Sequence, residues 1–462
     1  MNMTTWRRRL GRARGALLIG AVLTLAGCDS LVEYTERDVI DPGALGGADG
    51  AQALYAGALR SFGFTFAGNN GGTEGQALIS GLMSDEFIHS GTFSTRIDYD
   101  SRATFLDNST LLGVYRNMQT ARLDADRAIT AMVASGASET GDARIAAMYN
   151  RIAAIFMYGG MNYCNGLVFS GSSGGSPVYG TQMTVQQMLD SANYYFDKAL
   201  AGAAGTDGVN HNIARLMKAR ILMLRGSSSY AAAAALAAQV PTTFRAIQEH
   251  STVNGGTENG IYVFNTQNER WSIAHQEGGN GLGFRALDGA GAGTNPALAD
   301  PRVPWARTEN GNDVGFDNVT PQYDLLLYTT RDASSVWGSG REARLIEAEA
   351  DLAAGNADWL TKLNNLRATV NGLAPLVDPG NAQARVDMLF RERAFWLFAQ
   401  GVRLSDLRRL INQYSRSANN IFPTGAHHKG GNYGPDVNFP VPDQENQNPN
   451  YSAGIACIDR NA

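Results

Sequence analysis

The chain has 462 residues, 44% of them hydrophobic, and a formal net charge of −5. That is ample apolar material for a large core, and the length prior allows up to three domains. An acidic chain lacks the basic face that nucleic-acid backbones demand, so no nucleic-acid partner is expected.

The first residues, MNMTTWRRRLGRARGALLIGAVLTLAGCDS, begin with a basic segment carrying Arg7, Arg8, Arg9, Arg12 and Arg14. An apolar or small-residue stretch from Gly15 to Gly27 follows. It is too short to cross roughly 30 Å of hydrocarbon and reads as a secretory signal peptide. Its end, Leu25-Ala26-Gly27-Cys28, resembles a bacterial lipobox. Cleavage before Cys28 and lipidation of that residue are therefore expected, and several acyl chains on one cysteine make a durable anchor. Loss of residues 1–27 removes five arginines and no acid, moving the charge from −5 to −10. Acylation of Cys28 would leave Cys164 and Cys457 in an oxidising compartment, where a disulfide between them is expected. A polar stretch from Leu31 to about Gly47 suits a linker off the membrane.

Helical periodicity then recurs in blocks. Residues 49–62 and 74–88 form one expected pair across a Gly/Asn-rich gap. Residues 111–134 place Leu111, Tyr115, Met118, Arg122, Ala125 and Ile129 near one stripe, and 143–161 follow after a short break. Thr184, with Gln187 three positions on, predicts a capping box at the start of 184–202. Residues 210–226 come next, then an Ala-rich helix that Pro241 stops. Further pairs are predicted at 341–354 with 357–371 and at 383–399 with 404–414. These pairs resemble degenerate tetratricopeptide-type hairpins without a clean 34-residue consensus; such hairpins stack because none buries its apolar stripe alone.

Between about 242 and 340 Gly, Asn, Pro and Trp dominate, with one strand predicted at 260–266, GIYVFNT. So long an excursion from a helical scaffold is unusual unless it carries function. A smaller insertion covers 90–107. Trp359 and Trp396 lie on amphipathic helices and read as core. Trp271, Trp305 and Trp337 fall in the excursion, where flat rings flanked by Asn, Asp and Arg suit sugar rings, the alternative for each being a ring that pins the long loop to the scaffold. With Tyr99, Phe93, Asn69 and Asn70 from the earlier insertions, they form the candidate ligand-binding set.

Other motifs carry less. GNNGGTEG (68–75) and EGGNGLGFR (277–285) lack the GxxxxGK[ST] phosphate signature and read as turns. His427 and His428 read as an exposed loop pair. The other four histidines lack metal-ligand spacing, so neither metal nor cofactor is expected. Glu347, Glu349 and Asp351 read as solvated or interhelical charges rather than an acid–base pair, and no nucleophile elbow appears.

Several stretches together carry a family resemblance: RERAFWLFAQGVRLSDLRRL near the C-terminus, NFPVPDQENQNPN (438–450), GLMSDEF (81–87), ADPRV (299–303) and EARLIEAEADLAAGN (342–356). The chain is similar to SusD/RagB-type nutrient-binding outer-membrane lipoproteins, in matching order from Cys28 to the end. It departs from the family after Gly401, where Val402-Arg403-Leu404 replace a common His or aromatic residue.

The resemblance implies a mainly α fold: a tetratricopeptide-like helical-hairpin scaffold of about four helix pairs, with long loop-rich insertions containing little β structure. The expected organisation is a lipoprotein signal peptide (1–27), a lipid-anchored linker (28–47) and one SusD-like domain (48–462). Such a protein is not an enzyme. It captures an oligomer, a glycan in the leading reading, and delivers it to a partner TonB-dependent SusC-like transporter of the outer membrane. Asp29, beside the anchor, is compatible with surface export in the bacteria where the family abounds. A peptide ligand, as in the RagB branch, and a scaffold without small ligand are the alternatives.

Overall fold

A computed structural model describes residues 46–173, 176–202, 208–308 and 313–452. Cys28 and Cys457 lie outside the described residues, so the anchor and the cysteine pairing remain sequence expectations. Cys164 is buried.

Twelve helices carry the frame: α1 (Gly47–Ala67), α2 (Gln76–Met83), α3 (Ser94–Asp100), α4 (Ser109–Ala134), α5 (Ala143–Asn162), α6 (Val185–Ala201), α7 (Gly208–Leu224), α8 (Tyr230–Ala237), α9 (Gly340–Ala354), α10 (Asp358–Arg367), α11 (Ala382–Trp396) and α12 (Arg403–Tyr414). Local chemistry sets their starts. The Asn108 side chain caps α4, Asp142 caps α5 and Asn381 caps α11, each accepting a first-turn amide. The capping box of Thr184 and Gln187 opens α6 as expected. Gly355, at φ 76°, closes α9 in a left-handed turn.

The helices pack in consecutive pairs. Helix α1 lies on α4, α5 on α6, α7 on α8 and α9 on α10, and each pair packs on the next. Residues 49–62 thus take α4 as their principal partner rather than the expected 74–88 segment. The short α2 is buried along its length and packs against both α1 and α12. At the centre α5 is buried from Ile145 to Asn162. A Cβ at Gly160 would lie 2.8 Å from a Leu189 methyl, so glycine allows α6 its close approach. Trp359 and Trp396 join Leu345, Leu363 and Leu389 in a core beneath α9–α11, as their helical setting implies.

Ahead of the excursion, after α5, β2 (Leu167–Val168) pairs with β5 (Gln182–Met183) and β3 (Gly171–Ser173) with β4 (Ser176–Val178). The excursion is pinned at both ends. Strand β6 (Arg245–Gln248) pairs with β10 (Ser335–Ser339), and the Gly340 amide donates to the Phe244 carbonyl at 2.8 Å. A Cβ at Gly340 would overlap the Pro241 carbonyl oxygen. Inside the excursion β7 (Trp271–Ile273) pairs with β1 (Phe87–His89), and β8 (Trp305–Arg307) with β9 (Tyr323–Leu325). The expected strand at 260–266 is helical. The Asn259 side chain accepts the Ile261 amide at 2.9 Å and starts a turn, which Val263–Gln267 continue as a wide helical turn. Capping there outweighs the β-branched composition. No helix among the described residues is long and apolar enough to cross a membrane.

The Arg-rich segment 389–411 splits at Gly401 into α11 and α12, with Arg393, Arg403, Arg408 and Arg409 buried and Arg391 half-buried. Arg393 grips Asp406 through two bonds of 2.8 and 2.9 Å. Arg403 grips Asp85 at 2.6 and 2.9 Å, and Arg409 pairs with Glu349. Glu349 is therefore the interhelical charge its position implied. Burial works against the Asp406 carboxylate, yet Arg393 and Arg409 hold it below its ordinary range. Next to Asp85, burial pushes Glu86 up to about 8, so that it is protonated at neutral pH.

Two outcomes follow. Asp85→Ala leaves the Arg403 guanidinium buried without its partner and should cost about 3–5 kcal/mol in denaturant unfolding. Glu86 holds its proton more tightly folded than unfolded, so its contribution to stability should fall as pH rises from about 4.5 to 8. Glu86→Gln should remove that slope, measured as urea midpoints across the range.

Candidate functional site

Three loop regions converge on one face of the chain: the 90–107 insertion, the central excursion and residues 425–434. Backbone bonds fix the junction. The Ser90 amide donates to the Arg270 carbonyl at 2.9 Å, Phe316 N to the Glu269 carbonyl at 2.8 Å, and Asp317 N to the Ser90 carbonyl at 3.0 Å. The Lys429 ammonium reaches the Gly91 carbonyl at 3.0 Å and pairs with Asp317. Burial opposes ionisation of Asp317. Lys429, the Thr320 hydroxyl and the Val319 and Thr320 amides nevertheless hold its carboxyl down at about 2.

At this junction cations and rings alternate. The Arg96 guanidinium stands 4.3 Å from the Phe93 ring centre, and Arg270 lies 5.2 Å from Phe93 and 4.7 Å from Phe316. Both rings are about half exposed, Phe93 at 46% and Phe316 at 49%. Arg96 is neutralised by Glu74. Arg270, by contrast, has no ion-pair or hydrogen-bond partner for its side chain among the described residues, and its Nε is buried. Burial and the like charge of Arg96 depress its pKa. An unpaired guanidinium between two half-exposed rings offers apolar surface and directed donors together. That combination suits a polyhydroxylated or amide-rich oligomer.

Beside it, α3 presents Asp100 to the third loop. His427 Nε2 lies 3.1 Å from Asp100 Oδ2, and His428 Nε2 lies 3.7 Å from the same oxygen. The His89 amide also donates to that oxygen, at 3.1 Å. His428 Nδ1 approaches Glu277 at 3.8 Å, and the Tyr433 hydroxyl donates to Glu277. His427 is buried and His428 exposed, so the expectation of an exposed histidine pair holds for His428 and fails for His427. Asp100, His427 and His428 bring one ligand atom each within 4.8 Å of one another, a set that could hold a metal ion. As they stand these groups satisfy each other and latch the loop to β1. His89 is fully buried, and burial pushes its pKa down to about 3, leaving it neutral.

Most of the aromatic residues singled out from sequence lie elsewhere. Trp271 is fully buried against Phe87, Tyr99 and Phe264. Trp305 packs edge-on to Tyr323 and donates to the Arg285 carbonyl at 2.8 Å. Trp337 meets Phe62 edge-on at 5.1 Å, and Tyr99 is fully buried. These four present no ring face at the surface. The excursion is rich in Gly and poor in aliphatic residues, so its large rings are spent on its own core. Asn69 is buried and accepts the Gly71 amide at 2.7 Å, while Asn70 donates to Glu258 at 2.7 Å. Phe93 alone of the set stands at the exposed platform that Phe93, Arg270 and Phe316 form. Phe316 was missed; the visible signal was an aromatic in the turn-forming run GFDNVT (315–320).

No protein-family model matches the chain. No curated protein matches it either. Solved structures do. A SusD superfamily protein from Parabacteroides distasonis superposes with a TM-score of 0.63 at 14% identity, covering 87% of this chain and 98% of the other. NanU of B. fragilis gives 0.59 at 12% identity, over 89% and 99%. A SusD-like carbohydrate binding protein from Bacteroides vulgatus gives 0.54 at 13% identity, over 78% and 83%. The chain has the SusD-superfamily fold.

Asp100→Ala should orphan the His89 amide and the His427 ring and cost about 1–3 kcal/mol. Phe316→Ala, at a half-exposed position, should change stability by about 0.5 kcal/mol or less. Thermal melts of the two variants test this separation of latch from platform.

Proposed function

We propose that this chain, which has the SusD-superfamily fold, is a SusD/RagB-type nutrient-binding lipoprotein anchored through Cys28 to the outer membrane. It captures an oligomer outside the cell, a glycan in the first instance, and passes it to a SusC-like TonB-dependent transporter. It binds and hands over; it performs no chemistry. The signal segment and lipobox support the anchor. The fold it shares with a structure described as carbohydrate binding supports the ligand class.

The observation that carries the reading is the Phe93–Arg270–Phe316 surface, where two insertions far apart in sequence meet to expose two rings around an unpaired cation. Stacking on such rings is worth about 0.5–1.5 kcal/mol each beyond area burial, enough for a weak, reversible grip suited to hand-over.

The test is a calorimetric screen of neutral oligosaccharides and peptide digests against the full-length protein in detergent. A glycan should bind, and Phe93→Ala with Phe316→Ala should weaken it about tenfold or more. Peptide binding without glycan binding would move the assignment to the peptide branch. Co-purification with a barrel but no ligand would leave a scaffold.

A further inference from the structure

A second cavity lies away from the platform, between the β6–β10 clasp and helices α9–α11. It encloses about 470 Å³, within the range of small-ligand sites. Its charged lining consists of Arg245, Arg302 and Arg341, with no acidic residue among the described lining residues. Arg302 is already committed, with Asp300 and Glu392 at 2.7 and 2.8 Å. Arg245 and Arg341 have no ion-pair or hydrogen-bond partner for their guanidiniums among the described residues. Arg341 stands 5.1 Å from the Trp396 ring centre, on the same wall. Burial, and then the neighbouring Arg245 charge, depress the Arg341 pKa. Two like charges held side by side are a cost unless something negative joins them.

Two further polar groups of this cavity are unmatched. Ser339 is the residue preceding α9, where a serine hydroxyl ordinarily caps the first turn, yet it makes no capping bond. It is 4% exposed, and its Oγ has no hydrogen-bond partner. Gln400 Oε1 is likewise buried and unpartnered, although its amide nitrogen donates to the Trp396 carbonyl at 3.2 Å. The cavity also sits at the positive end of the 15-residue α9, whose dipole favours an anion there.

We propose that this cavity is an anion-binding subsite that takes a carboxylate or sulfate group of a ligand, with Arg245 and Arg341 as the charge partners and Ser339 as a hydroxyl donor. The aromatic wall of Trp396, Phe395 and Phe244 would carry the apolar face of the unit bearing that group. The inference goes beyond glycan capture at the platform and stands independently of it, since the cavity's chemistry selects charge rather than a sugar.

The test is calorimetry of the full-length protein in detergent with inorganic sulfate, with trigalacturonate and with neutral galactotriose. Trigalacturonate should bind, and more weakly as salt is raised. Arg245→Ala with Arg341→Ala should lower its affinity about tenfold or more. Arg245→Lys with Arg341→Lys should keep part of it. Both arginines are solvent-accessible and unpaired, so the alanine variant should melt with the parent, which circular dichroism checks. If the parent protein binds neither sulfate nor trigalacturonate, or the double alanine variant binds as the parent does, the proposal is overturned. Neutral-glycan binding at the platform would be untouched by that result.

Discussion

Charge buried in pairs is the constraint on which this architecture rests. Asp288, Arg367, Glu392, Arg302 and Asp300 form one continuous chain of ion pairs, with contacts of 2.7–2.8 Å along it and a closing contact of 3.1 Å from Arg302 back to Asp288. Asp288, Asp300 and Arg302 belong to the excursion, while Arg367 and Glu392 belong to α10 and α11. A second set joins Asp85, just after α2, to Arg403 on α12, and joins Asp406 and Arg409 of α12 to Arg393 and Glu349. Such pairs add little net stability over well-packed apolar residues, but each is costly to leave half made. They therefore act as register marks. A helix or loop shifted along its neighbour would strand a guanidinium in a dry interior. The degenerate repeat, whose apolar stripes alone would tolerate sliding, is held to one alignment by these marks.

The same chemistry explains what the sequence did and did not disclose. Four of the five stretches that carried the resemblance, GLMSDEF, ADPRV, EARLIEAEADL and RERAFWLFAQGVRLSDLRRL, supply members of the buried pairs: Asp85, Asp300 and Arg302, Glu342 (to Arg220) and Glu349 (to Arg409), and Glu392 through Arg409. Helix positions and caps were legible because they depend on local spacing. The pairing of α1 with α4 was not, because the partner lies across an intervening insertion and no local signal chooses between two apolar stripes. The site was harder still. Tryptophan in a Gly-rich stretch looked available for ligand, but the competing demand was internal. A segment poor in Leu and Ile has few other side chains large enough to exclude water, so Trp271, Trp305 and Trp337 were consumed by its core. Phe93 and Phe316, smaller and in turns, were left outside.

Rigidity and exposure are thus divided between parts of the chain. The frame is dense, with α5 buried along nearly its whole length, and supplies fixed walls. The loops carry the exposed rings, yet they are cross-tied. Asn265 alone donates to the Trp271 and Tyr323 carbonyls and accepts the Leu325 amide, joining three segments of the excursion through one side chain. The Asp100 latch holds the third loop to β1. A ligand meeting Phe93, Arg270 and Phe316 meets a surface that is already formed, so little ordering entropy is lost on binding.

The clasp between β6 and β10 has an evolutionary consequence. Because the excursion leaves and rejoins the frame at one antiparallel pair, its two ends stay adjacent whatever lies between them. Loop-closure entropy rises only with the logarithm of length, about 0.6 kcal/mol for each doubling. Residues between the clasp strands can therefore be lengthened, shortened or exchanged at small thermodynamic cost to the helices. The frame behaves as a socket and the excursion as an interchangeable head. Descendants of one scaffold can acquire new ligands without rebuilding the helical stack, provided each new head brings acids and arginines to meet Arg367 and Glu392.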